Sequence, residues 1–265
     1  MSKSKQLVPP SLKNLKQSEP TIFVGDENHD VELVKIYGLQ RSGTNWLTFL
    51  INENFQNVRV LVNEGGWKHG HYMIPWTMGK ETHVVSLIKN PYSWLVSVYN
   101  YWGPNRKKNI GPDLRGVEFE DFVRNRYLAE KQRGIPFLLR AKNPIQHWNN
   151  MNIHWLSLRL SNKRSCFITY ETLMENLGQS LTIVGQSLGI KPKYENKWVD
   201  NDKTFLPGDD NQWKTADEVC DREYYKNQGW KSHYTPELLE FVNSELDLDL
   251  MVQFGYMPMQ PEELC

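Results

Sequence analysis

Short apolar runs alternate with longer segments in which apolar residues recur every three or four positions, a succession that predicts strands alternating with helices. The run VELVKIYGL, starting at Val31, is β-branched and aromatic and is punctuated by Gly38, so it reads as a strand. Trp46, Leu47, Leu50 and Ile51 then share one helical face. VRVLV (58–62) and THVVSLI (82–88) read as a second and a third strand, the third apolar enough to be buried. Pro91 stands where the next helix begins, and Trp94, Leu95, Val98, Tyr99 and Trp102 repeat behind it at helical spacing.

Farther along, the stretch from Gly103 to Gly116 is rich in Gly, Pro, Asn and Lys and reads as an exposed loop. EFEDFVRNRYLAE and NPIQHWNNMNIHWLSLRL read as helices, SCFITY (165–170) as a strand, and Glu171 to Leu188 as one more helix. Beyond Lys191, DNDKTFLPGDDNQW reads as a turn-rich acidic segment, and DEVCDREYYKN and PELLEFVNSEL as two helices. Alternation of this kind predicts an α/β protein whose central parallel sheet is covered by helices on both faces. Residues 1–30 are polar, lysine-dotted and broken by Pro9, Pro10 and Pro20, and read as a flexible N-terminal arm; 31–265 then make a single domain.

Charge narrows the function classes. The 31 basic residues equal the 31 acidic ones, so no global field draws the chain to nucleic acid or to an anionic membrane, and an anion site has to be local. Between Gly103 and Lys142 ten basic residues face five acidic ones, and between Asp200 and Glu223 eight acidic residues face three basic ones, each compatible with a solvated face. Cys166, Cys220 and Cys265 are too few and too scattered for a disulfide framework or a tetrahedral metal site. With no signal-peptide pattern and no long uninterrupted apolar stretch, the expectation is a soluble protein of a reducing cytoplasm.

Candidate chemistry begins at YGLQRSGTNWL. Gly38 and Gly43 have the spacing of a P-loop, G-x-x-x-x-G-K-[ST], but Thr44 replaces the lysine that reaches the terminal phosphates and Asn45 replaces the hydroxyl that holds magnesium. The glycine frame and the helix N-terminus survive, and backbone N–H groups in such a turn still form an anion nest. A phosphate-like group bound without magnesium is the reading.

The stretch RSGTNWL resembles the loop of sulfotransferases that use 3′-phosphoadenosine 5′-phosphosulfate (PAPS), a family whose pattern is close to [KR]-[ST]-G-T-T-W-[LM]. The resemblance implies an α/β, three-layer P-loop-type fold and transfer of a sulfuryl group to a hydroxyl or amine of a small molecule without a metal. It implies that Arg41 is the loop cation, that Ser42, Gly43, Thr44 and Asn45 wrap the 5′-phosphosulfate, and that Trp46 stacks near the adenine. KNPYSWLVS resembles the family's R-[ND]-P-x-[DE]-x-x-x-S element, which makes Lys89 and Ser97 candidates for the 3′-phosphate; lysine here replaces the usual arginine, and Ser93 a common acid. Tyr170, in FITYETL, stands at the position of a tyrosine that contacts the adenine. DREYYKNQGWKSHYT resembles a C-terminal glycine-containing loop of the family, GWK matching at Gly229, Trp230 and Lys231, with Arg222 and Lys226 as candidate phosphate cations.

A base must take the acceptor's proton. GGWKHGHY supplies Lys68, His69 and His71 in the region where the family has a K-x-H element; His69 is the first choice, His71 the alternative, Glu64 the next candidate, and Lys68 is placed to touch the sulfate. The His-x-His pair has no carboxylate or cysteine at ligand spacing, which disfavours zinc. Trp67, Tyr72, Trp76, Trp148 and Trp155 are candidates to line an acceptor pocket, and with Asp209 and Asp210 they suggest a cationic small molecule, even a natural product bearing a guanidinium. Two rivals remain: a magnesium-dependent small-molecule or nucleotide kinase on the same core, disfavoured by Thr44 and Asn45, and a non-catalytic module that keeps the nucleotide site.

Overall fold

In the computed structural model of the chain, the described residues are 31–62, 64, 67–70, 82–103, 114–125, 141–161, 165–195, 197–200, 203–207, 213–219 and 222–264. The segment 1–30, and with it the expected arm, lies outside them.

The first run forms β1 (Glu32–Gly38), and a sharp turn leads into α1 (Thr44–Asn54). Next come β2 (Val58–Leu61), β3 (His83–Ile88) and α2 (Pro91–Trp102). The Asn90 side chain caps α2 by accepting from the Tyr92 and Ser93 amides, with Pro91 in the first turn where its missing N–H costs nothing. There follow α3 (Phe119–Arg124), α4 (Pro144–Ser161) and β4 (Ser165–Thr169). The four strands lie parallel in the order β2-β1-β3-β4.

Alternation along the strands explains the layers. On β1, Val34 and Ile36 pack on one face among Leu47, Leu50 and Ile51, while Tyr37 packs on the other among α2 and α4 side chains such as Trp94 and Trp148. On β3, Val85 and Leu87 take the first face, Val84 and Ile88 the second. Both faces are thus buried beneath helices, as a parallel sheet requires. The α/β architecture with a central parallel sheet is the one the sequence predicts.

Differences are local. SCFITY stops being a strand at Thr169, because the Thr169 hydroxyl caps α5 (Tyr170–Glu175) by accepting from the Thr172 amide. The helix expected from Glu171 to Leu188 is two helices, α5 and α6 (Leu177–Leu188), broken where Asn176 leaves the helical region. The acidic segment and the helix expected at 217–227 contain a hairpin instead: β5 (Lys203–Pro207) pairs antiparallel with β6 (Trp213–Val219). Trp213, Thr215 and Val219 are paired with β5, and that flanking pairing wins over the local helix propensity of Ala216 and Glu218 between them. Among the described residues of that stretch only α7 (Arg222–Lys226) is helical, followed by a 3₁₀ turn (Gly229–His233), α8 (Pro236–Glu245) and α9 (Leu248–Gln253). Among the described residues no helix is long and apolar enough to cross a membrane.

Candidate active site

The carboxyl ends of β1, β3 and β4 lie side by side, because Gly38 pairs with Leu87 and Ile88 with Thr169. From β1 the chain turns through α1 to β2 on one side, while β3 lies on the other, so a crevice opens at a topological switch point, where open α/β sheets bind ligands.

The turn after β1 is tight. The Ser42 amide and hydroxyl both donate to the Leu39 carbonyl, at 3.1 and 2.7 Å. Arg41 takes a left-handed φ of 67° and Gly43 one of 94°. A Cβ at Gly38 would meet the Leu87 carbonyl oxygen and Ser42 Oγ at 2.7 Å each, and one at Gly43 would meet the Tyr170 ring at 2.7 Å. Gly43 stands at the N-cap of α1 and has no side chain to cap it, so the N–H groups of Thr44 and its neighbours face the turn as donors. Cradle and donor set fit an anionic group of phosphate size.

Cations and a neutral imidazole surround this turn. The Lys68 ammonium donates to Asn45 Oδ1, so the cation missing from the loop reaches α1 from the segment after β2. Burial lowers the Lys68 pKa to about 8. Gly38 in turn donates its amide to the Lys68 carbonyl at 3.1 Å. His69 Nδ1 lies 2.6 Å from the Gly38 carbonyl oxygen, which can only accept, so Nδ1 carries the proton and Nε2 keeps its lone pair. Burial, with the Lys68 charge, lowers the His69 pKa to about 3, partly opposed by that hydrogen bond. Lys35, buried on β1 and donating to the Val62 carbonyl at 3.0 Å, is held near 8 by burial.

The Arg41 guanidinium lies 4.5 Å from the centre of the Tyr101 ring on α2, so this loop cation is laid against an aromatic face. Lys89 follows β3 and is buried, its ammonium 3.6 Å from the Tyr225 ring and 4.6 Å from the Tyr170 ring. Ser97 is buried within α2. Tyr170 is buried edge-on to Trp46, with centroids 5.9 Å apart. The Trp46 indole N–H donates to Asp200 Oδ1 at 3.0 Å, and Arg222 pairs with both oxygens of Asp200, its guanidinium 4.2 Å above the Trp46 ring. Lys226 instead is exposed and pairs with Glu223 at 3.3 Å, and Gly229 packs tightly on the Tyr224 ring. Of the two candidate basic residues, then, Arg222 reaches the crevice through Asp200 and Trp46, while Lys226 makes its ion pair on the exposed surface.

Several participants carry little sequence signal. Glu171, in YETL, accepts from the Asn90 amide at 3.1 Å, the Ser93 hydroxyl at 3.4 Å and the Tyr256 hydroxyl at 2.6 Å, tying the turn after β3 to α5 and to the C-terminal segment. Burial raises its pKa, against the pull of Tyr256 and of Lys89. Asp200 lies outside every recognised motif, and Tyr225 lies within DREYYKNQGWKSHYT at a position the resemblance gives no role.

Beside His69 a narrow cleft is lined by Gln40, Trp67, Trp94, Val98, Trp102 and His147. Trp67 is therefore at this cleft, whereas Trp148 and Trp155 do not line it: both are buried in the core, the Trp148 indole N–H donates to the Lys89 carbonyl at 2.9 Å, and Trp155 lines a separate small cavity with Val84, Ile88 and Phe254. His71, Tyr72, Trp76, Asp209 and Asp210 lie outside the described residues. Among the described residues no group of three or more His, Cys, Asp or Glu is disposed to hold a metal ion.

No family model matches the sequence, and no curated protein does. The structure resembles that of mouse sulfotransferase SULT7A1 complexed with PAP, at 17% identity and a TM-score of 0.43, over 63% of this chain and 61% of that one. The likeness thus spans less than two thirds of that protein's length.

Proposed function

We propose that the protein is a PAPS-dependent sulfotransferase, transferring a sulfuryl group to a hydroxyl or amine of a small molecule. One observation carries the reading: the glycine-framed turn lacks the P-loop lysine, yet Lys68 delivers an ammonium to Asn45 beside His69, whose Nε2 is unprotonated. A base and a cation thus stand at one anion cradle.

In this reading the turn and α1 hold the 5′-phosphosulfate, Lys68 and Arg41 offset charge on it, and Lys89 and Arg222 face the 3′-phosphate end, with Trp46 and Tyr170 beside the base. When bound, PAPS supplies a sulfuryl group whose bond to the 5′-phosphate oxygen breaks with the electron pair staying on that oxygen. The acceptor atom forms the new bond to sulfur. His69 takes the acceptor's proton at Nε2, and the Gly38 carbonyl holds the imidazole in that tautomer. Positioned cations stabilise the leaving phosphate electrostatically.

The test is calorimetry with 3′-phosphoadenosine 5′-phosphate (PAP) in the presence of a chelator, followed by transfer of radiolabelled sulfur from PAPS to small hydroxyl compounds. Saturable binding and transfer are expected. Absence of binding, with ATP consumed once magnesium is added, overturns the reading in favour of a kinase.

A further inference from the structure

Arg222, the basic residue that α7 sends toward the crevice, already holds an anion supplied by the chain itself. Asp200 accepts one N–H from each terminal nitrogen of the guanidinium, Nη1 at 2.7 Å and Nη2 at 3.2 Å. Arginine offers a two-pronged edge of this kind to phosphate as readily as to carboxylate. The pair is partly exposed, 16% for the Arg222 side chain and 33% for that of Asp200, so a dissolved anion can reach it.

Two anchors hold this arginine, and only one of them carries charge. The guanidinium lies 4.2 Å over the Trp46 ring, a contact that fixes its plane whether or not a carboxylate is present. Asp200 is fixed separately, since its Oδ1 also accepts from the Trp46 indole N–H at 3.0 Å. The carboxylate therefore adds little to the placement of Arg222. It does cancel the charge with which Arg222 would attract a phosphate, and it repels the phosphate itself. Lys89, the other cation assigned to that end, lies against the Tyr170 and Tyr225 rings and is only 3% exposed, which leaves Arg222 the more accessible of the two.

Resting on the proposed sulfotransferase reading, we infer that Asp200 is an internal competitor for the nucleotide: it occupies the Arg222 fork before binding, yields it to the 3′-phosphate, and reclaims it when the spent nucleotide leaves. No covalent bond changes; one charged hydrogen-bonded pair is exchanged for another. The displaced carboxylate keeps its indole bond and turns to solvent. The consequence is kinetic. PAP carries the 3′-phosphate of the donor unchanged, so it leaves sooner than it would if Asp200 were absent.

Calorimetry compares PAP with adenosine 5′-phosphate, which lacks the 3′-phosphate, on the wild type and on Asp200→Asn, a change that keeps an oxygen for the indole. PAP should bind the variant about 3- to 30-fold more tightly, a span running from a weak, partly exposed ion pair to a well-formed charged one, while affinity for adenosine 5′-phosphate changes less than about 2-fold. Stopped-flow displacement should show PAP leaving the variant more slowly by a similar factor. Thermal unfolding reports whether the variant is folded, and Arg222→Ala supplies a second test: it should weaken PAP binding and leave that of adenosine 5′-phosphate nearly unchanged. Unchanged or weaker PAP binding by Asp200→Asn, a gain shared equally by the two nucleotides, or wild-type PAP affinity in Arg222→Ala overturns the inference alone. Failure of the wild type to bind PAP overturns the sulfotransferase reading and this inference with it.

Discussion

The imidazole of His69 is held 2.6 Å from the carbonyl oxygen of Gly38, the last residue of β1 and the first glycine of the anion cradle. The same backbone atom that shapes the cradle thereby fixes which nitrogen of the histidine is free. Burial and the Lys68 charge lower the pKa of the histidine from the ordinary 6.5 to about 3. It remains unprotonated throughout the physiological range, and the positive charge it acquires in the reaction is one that burial and Lys68 oppose.

His69→Ala should therefore lower kcat by about 100-fold or more, the scale of general-base catalysis, with PAP affinity changed only a few-fold. In the wild type, kcat should show no fall caused by His69 protonation between pH 8 and pH 5. Near-normal turnover in His69→Ala would move the role to His71 or Glu64.

The same depressed pKa bears on stability. The unfolded histidine takes up its proton near 6.5, whereas the folded one does so only near 3. The unfolded state thus binds more protons between those values, and stability is lost as the pH falls from 6.5 toward 3. Urea unfolding at pH 7 and pH 5 should show His69→Gln losing less stability than the wild type, by on the order of 1–2 kcal/mol. Equal losses would mean that His69 titrates normally in the folded protein.

Lys68 stands in a conflict between function and stability. Its ammonium is half-buried and donates to Asn45 Oδ1, and its pKa is lowered from 10.5 to about 8. Lys68→Met removes the desolvation cost at neutral pH, so thermal denaturation should show a gain of about 1–3 kcal/mol. Binding of PAP should weaken at least about tenfold if the ammonium serves the anion, a loss typical of a charged hydrogen-bond partner. A variant that gains stability and binds PAP as before would remove Lys68 from the site.

Asp200 joins two elements through one carboxylate, accepting from Trp46 on α1 and from Arg222 on α7. Asp200→Asn keeps an acceptor for the indole and loses only a partly exposed ion pair, so its cost should stay below about 1 kcal/mol. Asp200→Leu leaves the indole N–H unpaired and should cost about 1–3 kcal/mol in urea unfolding. Equal costs would show that the ion pair, not the indole bond, ties the elements together.

The sheet was legible because β1 and β3 are largely buried on both faces and end at turn signals, Gly38 and Pro91. Gly43 was legible for the same reason: its backbone conformation restricts the residue type. The β5–β6 hairpin was not, since Ala216 and Glu218 favour helix by themselves and are held extended by the pairing that flanks them, at Trp213–Thr215 and at Val219. Contacts such as Tyr225 on Lys89, or Asp200 on Trp46, join residues more than a hundred positions apart and leave no periodicity behind. Gln40 lay inside the recognised loop, yet only burial reveals that its amide oxygen lacks a partner.

Two glycines with left-handed backbones separate strain from crowding. Gly43 has a φ of 94° and Gly189 one of 70°, but a Cβ at Gly189 meets nothing within 4 Å, whereas one at Gly43 lies 2.7 Å from the Tyr170 ring. Gly189→Ala should cost only the backbone term, about 1 kcal/mol, and leave PAP affinity intact. Gly43→Ala adds displacement of a buried tyrosine that contacts Trp46 edge-on and lies 4.6 Å from the Lys89 ammonium, so its cost should reach about 2–4 kcal/mol. Because the displaced ring touches two candidate cofactor residues, PAP affinity should fall at least about tenfold in Gly43→Ala. Calorimetry on the pair decides: wild-type affinity in a folded Gly43→Ala variant would mean that Tyr170 and the cradle it covers take no part in holding the nucleotide.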